Sequence, residues 1–571
     1  MSLFSGPGGL DLGFHKAGFE TVFAADFSER AVETYNDNLP PVSRQLDLAS
    51  TSPEEIVRLL RAGGTAPRGV IGGPPCQSFS QANVRQRRDD PRRRLIFRFA
   101  EIVQGVDAAF GLDFFLMENV SALAQPKHRK LLDKLKRSFE KSGFIVYEAV
   151  KNARDFGVAQ RRPRLFLVGI KRDLARFAAF EFPDGEPGSK TVRSEIQHLP
   201  DPVFFDRANT GKRVPFHPNH WTMKPRSEKF LAAANGTGRS FKKLDWDSES
   251  PAVAYGHREI HVHPTGTRRL SILEAMLLQG FPQKFKLRGN LSEQVTQVSN
   301  AVPPPLAQAM AAAIRESLYD RRQFAQTALL EFLKARGRQF PWRTTANTFH
   351  LLVAEKLLQQ TAARAGVVEA YREITSRWPT PHDLAHAPAR EVRGIVQPLG
   401  LPYRADELIK LAAVIQRKHR GDVPLNRSEL LALPGVGEYV ADAVLSFSEK
   451  EAAAVVDTNV SRLLHRLLAL PDTPPSNPSR SRRLKNLATW LADGQTSREM
   501  NYAVLDFTAS ICGARAPECV TCPLRLHCAG SNKGGTMPAL VTFKPKQVER
   551  PLRIVARIRR LTNSRSARVH W

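Results

Sequence analysis

Cysteine is scarce in this chain, with five residues in 571. Cys76 stands alone, while Cys512, Cys519, Cys522 and Cys528 sit together near the other end. That distribution excludes an even disulfide framework and leaves one isolated thiol plus one metal or cluster site. Long apolar runs are also missing. None approaches the ~18–20 residues of a membrane-spanning helix, and the N-terminus has no basic-then-apolar signal pattern. A cytoplasmic protein with no membrane partner is expected. Acidic residues are the third shortage: Lys plus Arg outnumber Asp plus Glu by 84 to 56, a formal charge of +28. Such a field selects a polyanion, and nucleic acid is the usual one. The length calls for two or three domains rather than one core.

In the first half, the apolar segment Gly69-Val70-Ile71 runs as a buried strand into Gly72-Gly73-Pro74-Pro75-Cys76-Gln77-Ser78. Two prolines hold the backbone extended, so the thiol is presented at a strand end, where a favoured thiolate makes a nucleophile. A lone Pro-Cys pair is more often a small buried residue at a turn, so its company decides. Leu3-Phe4-Ser5-Gly6-Pro7-Gly8-Gly9-Leu10 reads as a short strand, a glycine turn and a helix, the arrangement nucleotide-type sites need. Asp26 and Asp47 follow where the next strands of a doubly wound sheet end, suited to ribose hydroxyls and an adenine amino group. Phe114-Phe115-Leu116-Met117 leads into Glu118-Asn119-Val120, and Gln160-Arg161-Arg162-Pro163-Arg164 into another strand. Arg268, Glu274, Gln279-Gly280-Phe281-Pro282 and Gln297-Val298-Ser299-Asn300-Ala301-Val302-Pro303 come later.

In this order and spacing, Met1 to about Tyr319 resembles the DNA (cytosine-5)-methyltransferases. The resemblance implies a Rossmann-like α/β fold, S-adenosylmethionine at the glycine turn and a cytosine flipped out of the duplex. It makes Cys76 the nucleophile on C6, places Glu118 at N3 and Arg164 at O2, and gives Arg162 and Asn119 supporting roles. Phe4, Gly6, Gly8, Asp26, Asp47, Asn300 and Val302 match cofactor contacts. The residue types suit that chemistry, since cytosine is a poor electrophile until its ring nitrogen is protonated. Two departures stand out: a very short first strand, and Ser299 where the family usually has glycine. Residues 173–267 lack the family's motifs and resemble its variable target-recognition region. There His217, Asn219, His220, Trp221, Lys224, Arg226 and Tyr255-Gly256-His257-Arg258 are either base-reading groups or ordinary core and surface residues.

From Phe324 to about Leu505 strand signals are few and apolar residues recur at helical spacing, so an all-α domain is expected. Phe340-Pro341-Trp342-Arg343 precedes Glu355 in Val353-Ala354-Glu355-Lys356-Leu357-Leu358-Gln359-Gln360-Thr361. Leu433-Pro434-Gly435-Val436-Gly437-Glu438-Tyr439-Val440 reads as a glycine hairpin opening a helix, whose amides at Gly435 and Gly437 can cradle a DNA phosphate. Asp457 follows the apolar Val455-Val456. Cys512-x6-Cys519-x2-Cys522-x5-Cys528 is a four-thiolate set suited to Fe–S or zinc.

These features resemble the helix-hairpin-helix DNA glycosylases of the endonuclease III superfamily over about Phe324 to Gly530. The resemblance implies a [4Fe-4S] cluster that staples a DNA-facing loop. Tyr439 occupies the position where a lysine would form a Schiff base; a phenol cannot, so base release with little or no strand cleavage is expected. Asp457 would stabilise the cationic sugar or activate water. Tyr439 is similar to the thymine-mismatch type, Glu355 matches a pocket carboxylate of both thymine- and adenine-mismatch enzymes, and Leu401 matches a wedge position. Adenine-mismatch excision and a non-catalytic DNA-binding module are the alternatives. The expected layout is a methyltransferase at 1–320, a glycosylase at 324–530 with its cluster loop at 512–528, and a basic polyanion-binding tail at 531–571. Methylating cytosine creates a base whose deamination gives thymine opposite guanine, so both halves fit one lesion. Double-stranded DNA is the partner, with a separately acting restriction endonuclease as a common companion of the family. The expected protein is a monomer associated with a prokaryotic nucleoid.

Overall fold

Seven strands organise the first unit, which spans Met1–Leu318. In chain order they are β1 (Ser2–Leu3), β2 (Ala24–Asp26), β3 (Ser43–Gln45), β4 (Gly69–Gly72), β5 (Phe114–Val120), β6 (Phe144–Asn152) and, after the short β7 (Gln160–Arg161), β8 (Pro163–Lys171). The chain is described from a computed structural model that covers residues 1–75, 94–186, 188–205, 214–224, 243–252, 261–359, 361, 363–400, 402–449 and 453–531. The sheet order is β3-β2-β1-β4-β5-β8-β6. Its first five strands run parallel, and β8 lies antiparallel between β5 and β6. β4 and β5 read as continuous apolar runs because helices cover both faces of the sheet. On one face Phe99, Phe115, Phe139 and Phe144 form the centre of a buried core, with the Phe115 and Phe139 rings stacked at 3.9 Å.

The parallel strands deliver their C-terminal ends to one edge, where α/β sheets place ligands. The glycine turn after β1, Asp26, the Gly72–Pro75 segment and Glu118 all reach that edge. A second contact closes it from the far end of the unit. The helix Gly9–Lys16 packs on the helix Pro304–Ile314, and Gly9 lies so close to the chain that a Cβ there would sit 2.4 Å from the Val302 carbonyl oxygen.

Beside the sheet, a two-stranded piece pairs β9 (Val203–Phe205) with β10 (Trp221–Met223). Here the structure corrects the base-reading alternative for four residues. Asn219 is buried and exchanges hydrogen bonds with the Leu287 backbone, its amide donating at 3.0 Å and its carbonyl accepting at 2.9 Å. His220 lies between the Ser271 hydroxyl and the Pro200 carbonyl, the Trp221 indole donates to Gln294, and His217 is buried. These polar groups serve the interior because the loops they tie down offer no regular ladder for their backbone. Lys224 is exposed, while Arg226 and residues 255–258 lie outside the described residues.

The second unit begins at Tyr319 and holds no strand among its described residues. Its main core gathers Leu352, Val353, Leu357, Tyr371, Ile374, Leu408, Leu411, Val440 and Val444 from helices that each bury one apolar stripe. A smaller core joins Leu351, Phe447, Val455 and Tyr502, and Tyr439 packs against both. Among the described residues no helix is long and apolar enough to cross a membrane. Leu401 and residues 532–571 lie outside the described residues.

Candidate functional site

At the strand edge of the first unit, the turn after β1 takes positive φ at Phe4 (53°), Gly6 (53°) and Gly8 (93°). The Gly6 amide donates to Asp26 Oδ2 at 2.8 Å and the Ser28 amide to Oδ1 at 2.9 Å. Burial pushes the Asp26 carboxyl up from its ordinary range, and these two amides oppose the shift. Asp47 is exposed just past β3, its carboxylate accepting from the Ala49 amide and the Ser50 hydroxyl. Asn300 is exposed and Val302 is buried.

Glu118 is buried on β5, and its Oε1 pairs with Arg164 Nε at 2.8 Å. The pairing follows from sheet register: β5 and β8 run antiparallel, Val120 opposite Arg164 and Glu118 opposite Phe166. Burial pushes the Glu118 carboxyl up, while Arg164 and then Arg162 pull it down. Arg162 is buried as well, and its guanidinium donates to the carbonyls of Ser299 and Ala301. It thereby ties the link between β7 and β8 to the segment that abuts Gly9. Ser299 acts there through its backbone, its own hydroxyl donating to the Thr296 carbonyl at 3.0 Å, so the missing glycine leaves this approach intact. The Asn119 amide donates to the Pro74 carbonyl at 3.1 Å, and a Cβ on Gly73 would meet Glu118 Oε2 at 3.2 Å. The segment leading to Cys76 is thus bound against Glu118 and Asn119; Cys76 itself lies outside the described residues.

In the second unit, Glu355 is buried on the helix Thr348–Leu358, and its Oε2 has no hydrogen-bond partner. Burial pushes this carboxyl up to about 8; Arg343 opposes the shift and Asp457 adds to it. Tyr439 is the second residue of the helix Glu438–Phe447. Burial raises its phenol well above the ordinary value, followed by the charges of Glu355 and Asp457 and then by Tyr502. The three groups therefore share one field. Asp457 caps the helix Thr458–Leu467, its carboxylate accepting from the amides of Asn459 at 2.8 Å and Val460 at 2.7 Å. The capping explains why an acidic residue ends the apolar Val455-Val456 run.

From Asp457 a chain of hydrogen bonds leads to the cysteine loop. The Asn459 amide donates to Asp457 Oδ2 at 2.7 Å, and Arg462 donates to Asn459 Oδ1 at 3.0 Å and to the Cys512 carbonyl at 3.0 Å. Arg466 donates to Cys512 Sγ at 3.4 Å and to the Gly513 carbonyl at 2.7 Å. None of the four cysteines is in a disulfide. Burial pushes the Cys522 thiol up to about 11, with Cys528, Cys512 and Cys519 adding to the shift in that order. Each of the other three thiols is thus near enough to act on Cys522. Among the described residues, however, no three His, Cys, Asp or Glu side chains sit at ligating distances. A soft thiolate set beside two arginines suits an iron–sulfur cluster better than a hard cation.

The partnerships of this second site escape sequence reasoning, even where, as with Arg343, the residue lies in a motif named above. Arg343 makes a bidentate pair with Asp506, both distances 2.7 Å, and lies over the Tyr502 ring at 4.3 Å. Arg338 pairs with the same carboxylate at 2.6 Å. More than 150 residues separate these partners (|i−j| 163 and 168), so no local pattern announces them. Asn459 and Arg462 were detectable as positions i+2 and i+5 from Asp457, on the first turns of the same helix.

The family model for C-5 cytosine-specific DNA methylases matches residues 1–316, and that for HhH-GPD superfamily base excision DNA repair proteins matches residues 353–489. Type II methyltransferase M.FnuDI of Fusobacterium nucleatum is 31% identical over 348 residues, covering 57% of this chain and 96% of that protein. Thymine-DNA glycosylase of Aeropyrum pernix is 38% identical over 208 residues, covering 35% of this chain and 91% of that protein. Adenine DNA glycosylase of Mycobacterium tuberculosis is 36% identical over 204 residues, covering 36% of this chain and 66% of that protein.

Proposed function

The chain belongs to the C-5 cytosine-specific DNA methylases through residues 1–316 and to the HhH-GPD base excision superfamily through residues 353–489, and on that premise we propose a bifunctional DNA enzyme. Its first half methylates cytosine at C5 in duplex DNA; its second half releases thymine or uracil mispaired with guanine.

In the first half, Cys76 attacks C6 of a flipped cytosine, Glu118 engages N3 and Arg164 holds O2. The contact of Glu118 with Arg164 supports this reading, because it sets a buried acid and its cation beside Gly73, three residues before Cys76 in the chain. Phe4, Gly6, Gly8, Asp26, Asp47, Asn300 and Val302 would hold S-adenosylmethionine, which supplies the methyl group. The left-handed turn suits a ligand approaching the backbone, and Asn119 steadies Pro74 two residues before the nucleophile.

In the second half, Asp457 stabilises the cationic sugar as the N-glycosidic bond breaks, while Tyr439 and Glu355 line the base pocket. The observation that carries this reading is the packing of Tyr439 against the small core that holds Leu351, one turn before the buried and unpartnered Glu355, and Val455, two residues before Asp457. A neutral phenol where an imine-forming amine would stand favours base release without strand cleavage. Gly435 and Gly437 present backbone amides to a phosphate. Cys512, Cys519, Cys522 and Cys528 would hold a [4Fe-4S] cluster that stiffens the loop at the end of the hydrogen-bond chain from Asp457.

Similarity to a thymine-DNA glycosylase supports thymine as the released base, and similarity to an adenine DNA glycosylase keeps adenine excision as the second reading. Duplexes carrying T/G, U/G, A/G or 5-methylcytosine, scored for alkali-labile sites, test the choice. Cleavage at T/G and U/G alone is expected; cleavage at A/G alone would replace this reading with the second. Transfer of labelled methyl groups to unmodified duplex tests the first half.

A further inference from the structure

Lys356 follows Glu355 on the helix Thr348–Leu358, so the two side chains leave the helix about 100° apart. Glu355 shares the field of Tyr439 and Asp457, while Lys356 meets the glycine hairpin. The Lys356 side chain is 1% exposed. Its ammonium donates to the Gly435 carbonyl at 2.9 Å, to Gln359 Oε1 at 2.9 Å and to Glu407 Oε2 at 2.8 Å. All three of its hydrogens are therefore used.

The hairpin is shaped around this cation. Gly435 has φ 68°, and a Cβ there would stand 2.5 Å from Lys356 Nζ. The Gln359 amide donates to the same carbonyl at 3.3 Å, and the Val436 amide closes the turn on the Leu433 carbonyl at 3.2 Å. At Gly437 a Cβ would have nothing within 4 Å. A buried ammonium costs free energy that a methionine of similar volume would not, so its use is positional or electrostatic rather than stabilising. Its counter-charge Glu407 is 36% exposed. Water screens that carboxylate more than the ammonium, leaving net positive potential under the hairpin.

We propose that Lys356 is a positioning residue for DNA binding by the second half: it pins the Gly435 carbonyl inward, which aims the Gly437 turn and the first amides of the helix Glu438–Phe447 at a duplex phosphate, and its incompletely offset charge attracts that phosphate. This rests on the hairpin being the phosphate-binding element, as proposed above.

The test uses the full chain in single-turnover excision from a T/G duplex, with hydrogen exchange of hairpin amides in undamaged duplex as a second readout. K356M is expected to raise the half-saturating protein concentration about tenfold, equivalent to ~1.4 kcal/mol, while the plateau rate stays within about twofold of wild type because Glu355 and Asp457 are untouched. It also loses the DNA-induced protection of the hairpin. Glu407→Gln is expected to lower the half-saturating concentration about threefold, since it frees the ammonium's field. Losing this carboxylate also relieves its own repulsion of the phosphate, so the gain must depend on the ammonium: K356M/E407Q is expected to bind no tighter than K356M. K356M with wild-type half-saturation and protection overturns the inference, as does Glu407→Gln binding no tighter than wild type. Should K356M melt before assay, Lys356→Gln takes its place with the same expected outcomes. A wild-type protein that protects its hairpin yet releases no base sinks the glycosylase reading and leaves this one standing.

Discussion

The two sites bury a glutamate apiece, burial raises both carboxyls, and the two differ in how they are partnered. Glu118 ends a strand with Arg164 locked onto it, so burial and ion pairing pull its protonation against each other. Glu355 has a cation nearby as well, but Arg343 is committed to Asp506, and one carboxyl oxygen stays unpaired. Burial prevails at both carboxyls, and at Glu355 the charge of Asp457 adds to it. A sheet supplies its counter-ion by register, because neighbouring strands bring fixed pairs together. Helices meeting at angles leave room to divert one.

The largest effect that would sharpen this contrast is the separation of activities. Cys76→Ser is expected to abolish methyl transfer from labelled cofactor while base release continues unchanged; retained transfer would remove Cys76 from the mechanism. Next, Asp457→Asn should lower single-turnover base release by ~10²–10³-fold. Asn still caps the helix Thr458–Leu467, so its melting temperature should stay close to wild type. A parallel fall in stability would mean that the carboxylate is structural only.

The third test addresses the glutamates directly through pH. The Glu355 carboxyl titrates at an ordinary 4.5 when unfolded and at about 8 when buried. Stability held by the neutral acid is therefore complete below pH 4.5 and is lost as pH rises through about 8. Glu355→Gln should gain thermal stability relative to wild type across that window, with the gap widest near pH 9. A gap independent of pH would mean that burial does not control this group. The smallest effects belong to the hairpin. Gly437→Ala meets open space at φ −99° and should change stability by no more than ~0.5 kcal/mol. Gly435→Ala, at φ 68° and against Lys356, should cost ~1–2 kcal/mol in denaturant unfolding.

Much of this was legible in the chain itself. Buried strands running into Glu118 and into the Gly72–Pro75 segment follow from apolar runs, and the hairpin follows from two glycines at a helix start. The alternation of strands and helices before Leu318, and its disappearance after, marks the change of architecture. β1 is only two residues long and has no periodicity to detect, so its glycine turn carried the inference. The polar cluster at His217, Asn219, His220 and Trp221 was ambiguous for a physical reason. The groups that read base edges are the same ones that satisfy buried loop backbone, and sequence alone does not say which they face. The Arg343–Asp506 clamp was invisible because its halves lie on opposite ends of the second unit's chain.

Asp457 has a further consequence through its place at the head of a helix. The oxygens that hold the first turn of Thr458–Leu467 belong to the group proposed to face the breaking sugar bond. Unwinding that single turn would silence the chemistry long before the domain melts. Heat should therefore extinguish base release at a lower temperature than it unfolds the protein, and re-cooling from that interval should restore it without refolding.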